Sequence, residues 1–273
     1  MSEIASSNAA IVIPIYKEFD NLSKTERKLL SKIKNVFVNR KIFIVLPKSL
    51  NKSFQSYEQF QAISFDDYFF ENKFSYSKLL CRKEFYQAFN NFDYVQLIQP
   101  DCWVFEDKIN HFANLGLDYI GAPWMEGGFD GFPQKKLWKV GNGGFSLRRV
   151  KTFLSILDEI ENSPKGRMRV FNSHKKGMVG IIKNFGIRNN LKHYIKEAPG
   201  EDIFWTHYIP QVFSEKDFKI ADPITGARYS FEVHPRFLFE KVTNGKLPMG
   251  CHNWRNNEPD FWSSYIHPIK ESP

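Results

Sequence analysis

Cysteine is scarce in this chain: Cys81, Cys102 and Cys251 are the only three among 273 residues. They are odd in number and form no CxxC pair, which argues against a disulfide scaffold and for a reducing compartment. Long apolar runs are missing too. Nothing approaches the roughly 18 apolar residues of a spanning helix, and Met1-Ser-Glu-Ile-Ala-Ser-Ser-Asn8 shows no basic segment leading into a hydrophobic one. The expectation is a cytoplasmic protein, neither secreted by a signal peptide nor membrane-spanning. Zinc-finger spacing, helix-turn-helix spacing and RNP-like strands are absent, so the net charge of +8 is not read as a nucleic-acid footprint. Internal repeats and low-complexity tracts are also lacking. Disorder is excluded by 42% hydrophobic and 16% aromatic residues, enough apolar surface to offset the entropy of ordering the backbone.

Acidic residues are absent locally. Lys165 to Lys196 holds nine Lys or Arg and no Asp or Glu, interleaved with Met178, Val179, Ile181, Ile182, Phe185 and Ile187. The pattern is that of a basic amphipathic insertion spanning about 162–196. It suits a solvated loop, or a patch for anionic lipid head groups or a diphosphate-bearing acceptor.

The rest of the chain alternates strand and helix patterns. Ala9–Tyr16 and Lys41–Pro47 are apolar runs flanking a charged helical pattern from about Lys24 to Asn35. Two such strands joined through a helix predict a parallel sheet covered on both faces, with ligands beyond the carboxyl ends of its strands. Pro14 and Tyr16 fall at that edge. Leu79, Leu80, Phe85 and Phe89 recur at helical spacing, with a serine available as a cap, and lead into a third strand at Tyr94–Ile98. A helical segment follows near Asp107–Asn114, then a strand and turn over Asp118–Trp124, and the glycine-rich loop Met125–Pro133 is expected to be mobile. Val150–Ile160 predicts an amphipathic helix. Glu201–Ile209 predicts another, with acids in its first turn and Pro210 at its end.

Five signals carry candidate chemistry. Asp101 sits just past the strand Tyr94–Ile98, where a carboxylate would face a metal-bridged diphosphate; the competing reading is a turn begun at Pro100. The run Gly141-Asn142-Gly143-Gly144 lets backbone approach a ligand closely, and Asn142, with Arg148 behind it, suits a sugar hydroxyl and an anion; a plain hairpin turn is the alternative. Glu201 and Asp202 offer adjacent carboxylates, of which Asp202 is read as a general base, unless both merely charge a helix start. His252, in the apolar setting Gly250-Cys251-His252-Asn253-Trp254, would complete a site with Asp101 for Mn²⁺, whereas Mg²⁺ would favour oxygen ligands. Among the tryptophans, Trp124 and Trp254 lie beside glycine-bearing turns and are candidates to stack on sugar rings; the others are expected in the core.

Taken in order, YVQLIQPDCWVF, DYIGAPW, VGNGGFSLR, GEDIFW, ARYSFE and GCHNW resemble a family of uncharacterised glycosyltransferase-like proteins with a glycosyltransferase-A-type fold. The resemblance runs from about Ala9 to Trp254. It implies one domain over 1–273, α/β in class, with a Rossmann-like, mostly parallel central sheet flanked by helices. Residues 9–124 would form the nucleotide-sugar half and 125–273 the acceptor half, carrying the basic insertion. It implies a glycosyltransferase of hexosyltransferase type, moving sugar from a nucleoside diphosphate to a glycan or lipid-linked glycan. UDP-sugars come first among donors. The setting would be bacterial surface polysaccharide synthesis at the inner face of the membrane, without nucleic acid. In that fold a DxD motif holds metal and diphosphate. Here only its last acid is matched, by Asp101, with Gln99 in place of the first, so the need for Mn²⁺ or Mg²⁺ stays open. GED implies catalytic roles for Glu201 and Asp202 and an inverting displacement, and GCH implies a metal or diphosphate contact at His252. Pro14, Tyr16, Gln99, Asp101, Gly143, Gly144, Arg148 and Arg228 are the expected donor contacts, with the two arginines sharing the leaving-group charge; Asn142, Trp124 and Trp254 are the expected acceptor contacts. A nucleotidyltransferase on the same sheet, or a non-catalytic glycan- or membrane-binding protein, is the alternative.

Overall fold

The first apolar run is strand β1, Ala9–Pro14, and the second is β2, Ile42–Pro47; both are buried at every position. They pair in parallel from Ile11 opposite Ile42 to Pro14 opposite Val45. Between them lies the helix Lys24–Val36, which starts in a reciprocal cap: Ser23 Oγ accepts from the Glu26 N–H while Glu26 accepts from the Ser23 N–H. The helix turns Leu29, Leu30 and Ile33 inward, one stripe of an otherwise charged cylinder. The computed structural model describes residues 7–54, 60–126, 136–171, 189–197 and 200–266.

Strand β3, Gln61–Phe65, pairs with β2 and was not anticipated, because an edge strand with exposed and half-buried residues carries no apolar run. Strand β4, Tyr94–Ile98, joins the other side of β1 in parallel. Completing the sheet are β6, Tyr119–Ile120, and β9, Phe145–Arg149, with β9 antiparallel to both β4 and β6. The order is β3-β2-β1-β4-β9-β6. Since the chain moves from β1 to β2 and β3 and then returns to β4 on the far side of β1, the topological switch lies between β1 and β4, and a crevice opens beyond their carboxyl ends.

A second sheet combines β5, Trp103–Val104, β10, Ser230–Phe231, and β11, Gly250–Cys251; β10 runs parallel to β11 and β5 antiparallel to it. Strands β7, Pro123–Met125, and β8, Leu137–Val140, form a separate antiparallel pair. The helix Val150–Asn162 buries Val150, Phe153, Ile156, Leu157 and Ile160, and Phe153 meets Trp205 with ring centroids 4.1 Å apart.

Two expectations change. The helix expected over Ser75–Phe89 is two helices, Lys73–Leu79 and Lys83–Gln87; Asn72 caps the first, and Ser75 returns the bond to the Asn72 N–H. The segment expected as one helix from Glu201 is α-helical only to Ile203, then widens to a π turn over Phe204–Tyr208 and tightens to a 3₁₀ turn over Ile209–Gln211. Pro210 therefore sits inside the last turn, where its missing N–H is tolerated by the change of helical pitch. Of the basic insertion, residues 172–188 lie outside the described residues, as do 127–135 of the glycine-rich loop. The described ends of the insertion are tied down: Lys165 Nζ pairs with Glu159 at 2.7 Å, Lys192 Nζ donates to the Glu161 carbonyl at 2.6 Å, and Val170 and Leu191 are buried. Among the described residues no helix is long and apolar enough to cross a membrane.

Candidate active site

At the switch point, Pro14 at the end of β1, Tyr16 just beyond it, and Gln99 and Asp101 after β4 line a hollow of about 530 Å³, together with Trp254 and Arg255. Asp101 does lie in a turn, closed by the Cys102 N–H donating to the Gln99 carbonyl, yet its side chain is 52% exposed. Asp101 thus sits in a turn and still presents its carboxylate to the hollow. Its partner is His252, at the end of β11: Nε2 stands 3.2 Å from Asp101 Oδ1, and Nδ1 stands 2.9 Å from Glu232 Oε1. Burial opposes charge on this imidazole, but the bonds to Asp101 and Glu232 outweigh it and push its pKa to about 10. For Asp101, burial presses upward and the His252 hydrogen bond wins, leaving the carboxyl below its ordinary range.

Asp101 Oδ1 and His252 Nε2 fit a divalent ion that displaces the Nε2 proton. Their separation is near the ~3 Å expected of neighbouring ligands on an octahedral centre with bonds of about 2.1 Å. Cys102 Sγ lies in the same cluster but is not a suitable ligand. Burial holds its thiol protonated, and it donates to the Gly144 carbonyl at 3.2 Å. The chain thus offers one carboxylate and one imidazole, with the Gln99 amide beside them.

The glycine loop lies between this edge and the candidate base. A Cβ on Gly144 would come 2.4 Å from His252 Nε2 and 2.8 Å from Gln99 Oε1, and one on Gly143 would come 1.6 Å from Glu201 Oε1. Neither position has room for a side chain, so the glycines are required by close approach. Asn142 between Gly141 and Gly143 adopts φ +64°, which asparagine tolerates better than most residues. Its Oδ1 accepts from the Gly144 N–H, while its Nδ2 is buried without a partner among the described residues.

Glu201 is held by Arg148. The guanidinium is fully buried and donates to Glu201 Oε1 at 2.9 Å, Ser146 Oγ at 3.0 Å and Tyr86 Oη at 3.1 Å. Burial pushes Glu201 up to about 7 against the pull of Arg148, while the pair raises Arg148 well above its ordinary value. These tendencies conflict. A guanidinium that stays charged throughout the biological pH range needs a counter-charge in the interior, and so the ionised pair is the state at neutral pH. Asp202 is partly exposed, next in the chain, and accepts from the Ile203 N–H at 2.8 Å. Its pKa is raised, chiefly by burial and also by the charge of Glu232, against backbone N–H groups and Arg148 that lower it.

The structure brings Pro14, Tyr16, Gln99, Asp101, Gly144 and His252 to one edge, with Asn142, Gly143, Glu201 and Asp202 along the loop beside it. Four placements differ from expectation. Arg148 is enclosed by Glu201, Tyr86 and Ser146 and has no surface for a diphosphate. Arg228 is exposed in a different hollow with Lys108, His111 and Lys246, so the anion contact expected of it is withdrawn. Trp254, expected against the acceptor, is 5% exposed, lines the hollow beside Tyr16 and Asp101, where donor contacts were expected, and packs edge-on to Trp103. Trp124 stacks on Trp138 and fills the space above Gly141.

Glu232 is the principal residue missed. It lay within the ARYSFE segment, but nothing in its spacing distinguishes it from a surface acid; only the pairing of β10 with β11 sets it beside His252. Lys17, Lys73 and Arg255 also line the hollow, and as isolated cations in sequence they gave no signal.

The central sheet with its switch-point crevice and the second sheet carrying His252 define a glycosyltransferase-A-type fold. Mouse xyloside xylosyltransferase 1, in its apo form, aligns with 91% of this chain and 98% of its own at a TM-score of 0.50 and 11% identity. A glycosyltransferase involved in glycosylation of the major capsid of PBCV-1 aligns with 89% of this chain and 92% of its own, at 9% identity and a TM-score of 0.38. A search of curated proteins finds no match. The chain belongs to the DUF5672 family of proteins of unknown function, whose family model matches residues 59–252.

Proposed function

We propose that this protein is an inverting glycosyltransferase that moves a sugar from a nucleoside diphosphate, a UDP-sugar first among candidates, to a hydroxyl of a glycan or lipid-linked glycan. The observation that carries this is the convergence of two groups: Asp101 and His252 at the carboxyl end of the switch-point strand, and Glu201-Asp202 across a glycine loop with no room for side chains. The hollow between Tyr16 and Trp254 has the volume and the aromatic and cationic lining that suit a nucleotide.

Asp202 accepts the proton of the acceptor hydroxyl as that oxygen bonds to the anomeric carbon, and the bond from that carbon to the diphosphate oxygen breaks. The nucleoside diphosphate leaves with the bonding pair. The raised pKa of Asp202 favours taking up that proton, and a positioned base of this kind contributes about 10²–10⁴-fold. The unpartnered Nδ2 of Asn142 and Oε2 of Glu201 are polar atoms suited to sugar hydroxyls. Mn²⁺ or Mg²⁺, held by Asp101 and His252, would supply charge stabilisation for the departing diphosphate. Lys17, Lys73 and Arg255 add positive charge along the same wall. Action within bacterial surface polysaccharide synthesis, from the cytoplasm and at the membrane face through residues 165–196, completes the reading.

The test is a calorimetric and thermal-shift screen of UDP-, GDP-, CMP- and dTDP-sugars with Mn²⁺, Mg²⁺ or chelator, on wild type and Asp101→Ala. One nucleotide class should bind, and the substitution should weaken it. Binding of none overturns the donor site, while pyrophosphate release from a nucleoside triphosphate would point to nucleotidyl transfer.

A further inference from the structure

We propose that Glu232 is the positioning residue of the site, fixing the ring of His252 so that Nε2 faces Asp101 and the crevice; this rests on His252 being a working part of that site. Strand pairing creates the arrangement. Phe231 lies opposite Cys251 in the parallel β10–β11 pair, the His252 N–H donates to the Phe231 carbonyl at 3.0 Å, and so the next residue along each strand, Glu232 and His252, emerges side by side. Their side chains meet at 2.9 Å between Oε1 and Nδ1.

Glu232 is 6% exposed, and a carboxylate in that setting is costly unless a partner repays the lost hydration. Among the described residues His252 is the hydrogen-bond partner it has. The benefit of such a costly placement is tautomer control. For Nε2 to offer its lone pair to a cation, the ring proton must reside on Nδ1, and an acceptor there holds it and orients the plane. Asp101 cannot serve, because it lies on the Nε2 side. Asp101 and the close-packed Gly144 both meet the ring on its Nε2 edge, and among the described residues Glu232 is the side-chain acceptor on the Nδ1 edge.

Two variants and two readouts test this. Glu232→Leu removes the acceptor at similar volume; Glu232→Asp keeps the charge but falls short by one methylene, and it decides the matter if the leucine variant does not fold. Histidine ¹⁵N spectra, taken above the pKa of about 10 at which metal-free His252 becomes neutral, read its tautomer, assigned by loss of the signal in His252→Ala. Mn²⁺ binding, with Mn²⁺ alone as the probe, is read from the electron paramagnetic resonance of the free ion. In both variants the Nδ1–H signature should be lost and Mn²⁺ affinity should fall about 10–100-fold, as for other outer-sphere partners of ligating histidines, each read at a temperature where circular dichroism shows the variant folded. Unchanged tautomer and affinity in a folded variant overturn the proposal. If wild type binds no Mn²⁺, the metal part of the proposed function fails, and the ring spectra alone still decide the role of Glu232.

Discussion

Replacing Arg148 with methionine removes the counter-charge of a carboxylate that is itself almost fully buried. Arg148 has 0% and Glu201 6% side-chain exposure, so the single variant leaves Glu201 buried and uncompensated. Breaking one side of such a pair costs about 3–5 kcal/mol, which for a chain of this size corresponds to a fall in Tm of roughly 6–20 °C. Replacing both partners, as in Arg148→Met with Glu201→Leu, should recover most of that loss. The groups left behind remain satisfied, because Tyr86 Oη donates to the Leu80 carbonyl and Ser146 Oγ to the Gly143 carbonyl. The deficit of the single variant also has a predicted pH slope. With Arg148 present, burial already pushes Glu201 to about 7; without it the carboxyl rises further above its unfolded value near 4.5. A group raised on folding contributes stability that is complete below the unfolded pKa and is lost as pH rises through the folded one. Melting curves by circular dichroism from pH 5 to 8 should therefore show Arg148→Met closest to wild type at pH 5 and progressively worse towards pH 8. Additive single-variant costs in the double variant, or a deficit that does not change with pH, would refute the buried ion pair as the feature that holds Glu201 and Asp202 in place.

Asp202→Asn should reduce sugar transfer by about 10²–10⁴-fold or more while leaving nucleotide binding by calorimetry unchanged; transfer near the wild-type rate would remove Asp202 from the mechanism. Because burial raises the Asp202 pKa, the wild-type rate should fall on acidification at a pH above the ordinary aspartate range, as protonation removes the base. Gly144→Ala drives a methyl group into His252 Nε2 and Gln99 Oε1, and Mn²⁺ and nucleotide affinity should both drop, whereas Gly116→Ala at a surface turn should leave both intact. In metal-free protein the charged His252 contributes stability below its ordinary value of 6.5, and this is lost as pH rises through about 10. A His252→Ala variant should accordingly melt lower than wild type at pH 6 and approach it above pH 10; a constant gap would assign the loss to packing alone.

The apolar runs at Ala9–Pro14, Ile42–Pro47 and Tyr94–Ile98 were legible as strands because each is buried on both faces, and continuous hydrophobicity is what that environment selects. A strand of exposed and half-buried residues at Gln61–Phe65 leaves no such trace. Asp101 was legible for the same reason, as a polar residue immediately after an apolar strand. The order of the motifs in the chain determined the fold type and brought Asp101, the glycine loop, Asp202 and His252 forward as candidates. What the sequence could not determine was which charges face the crevice. Arg148 and Arg228 look alike in one dimension, yet β9 aims the first into the interior against Glu201, and the helix Pro223–Tyr229 leaves the second exposed in another hollow. Glu232 and His252 lie 20 residues apart, and their contact exists only because two short parallel strands place them in register. Hydrophobic periodicity is a local property of the chain and survives in sequence; the pairing of charges depends on contacts between distant segments, and tertiary structure alone decides it.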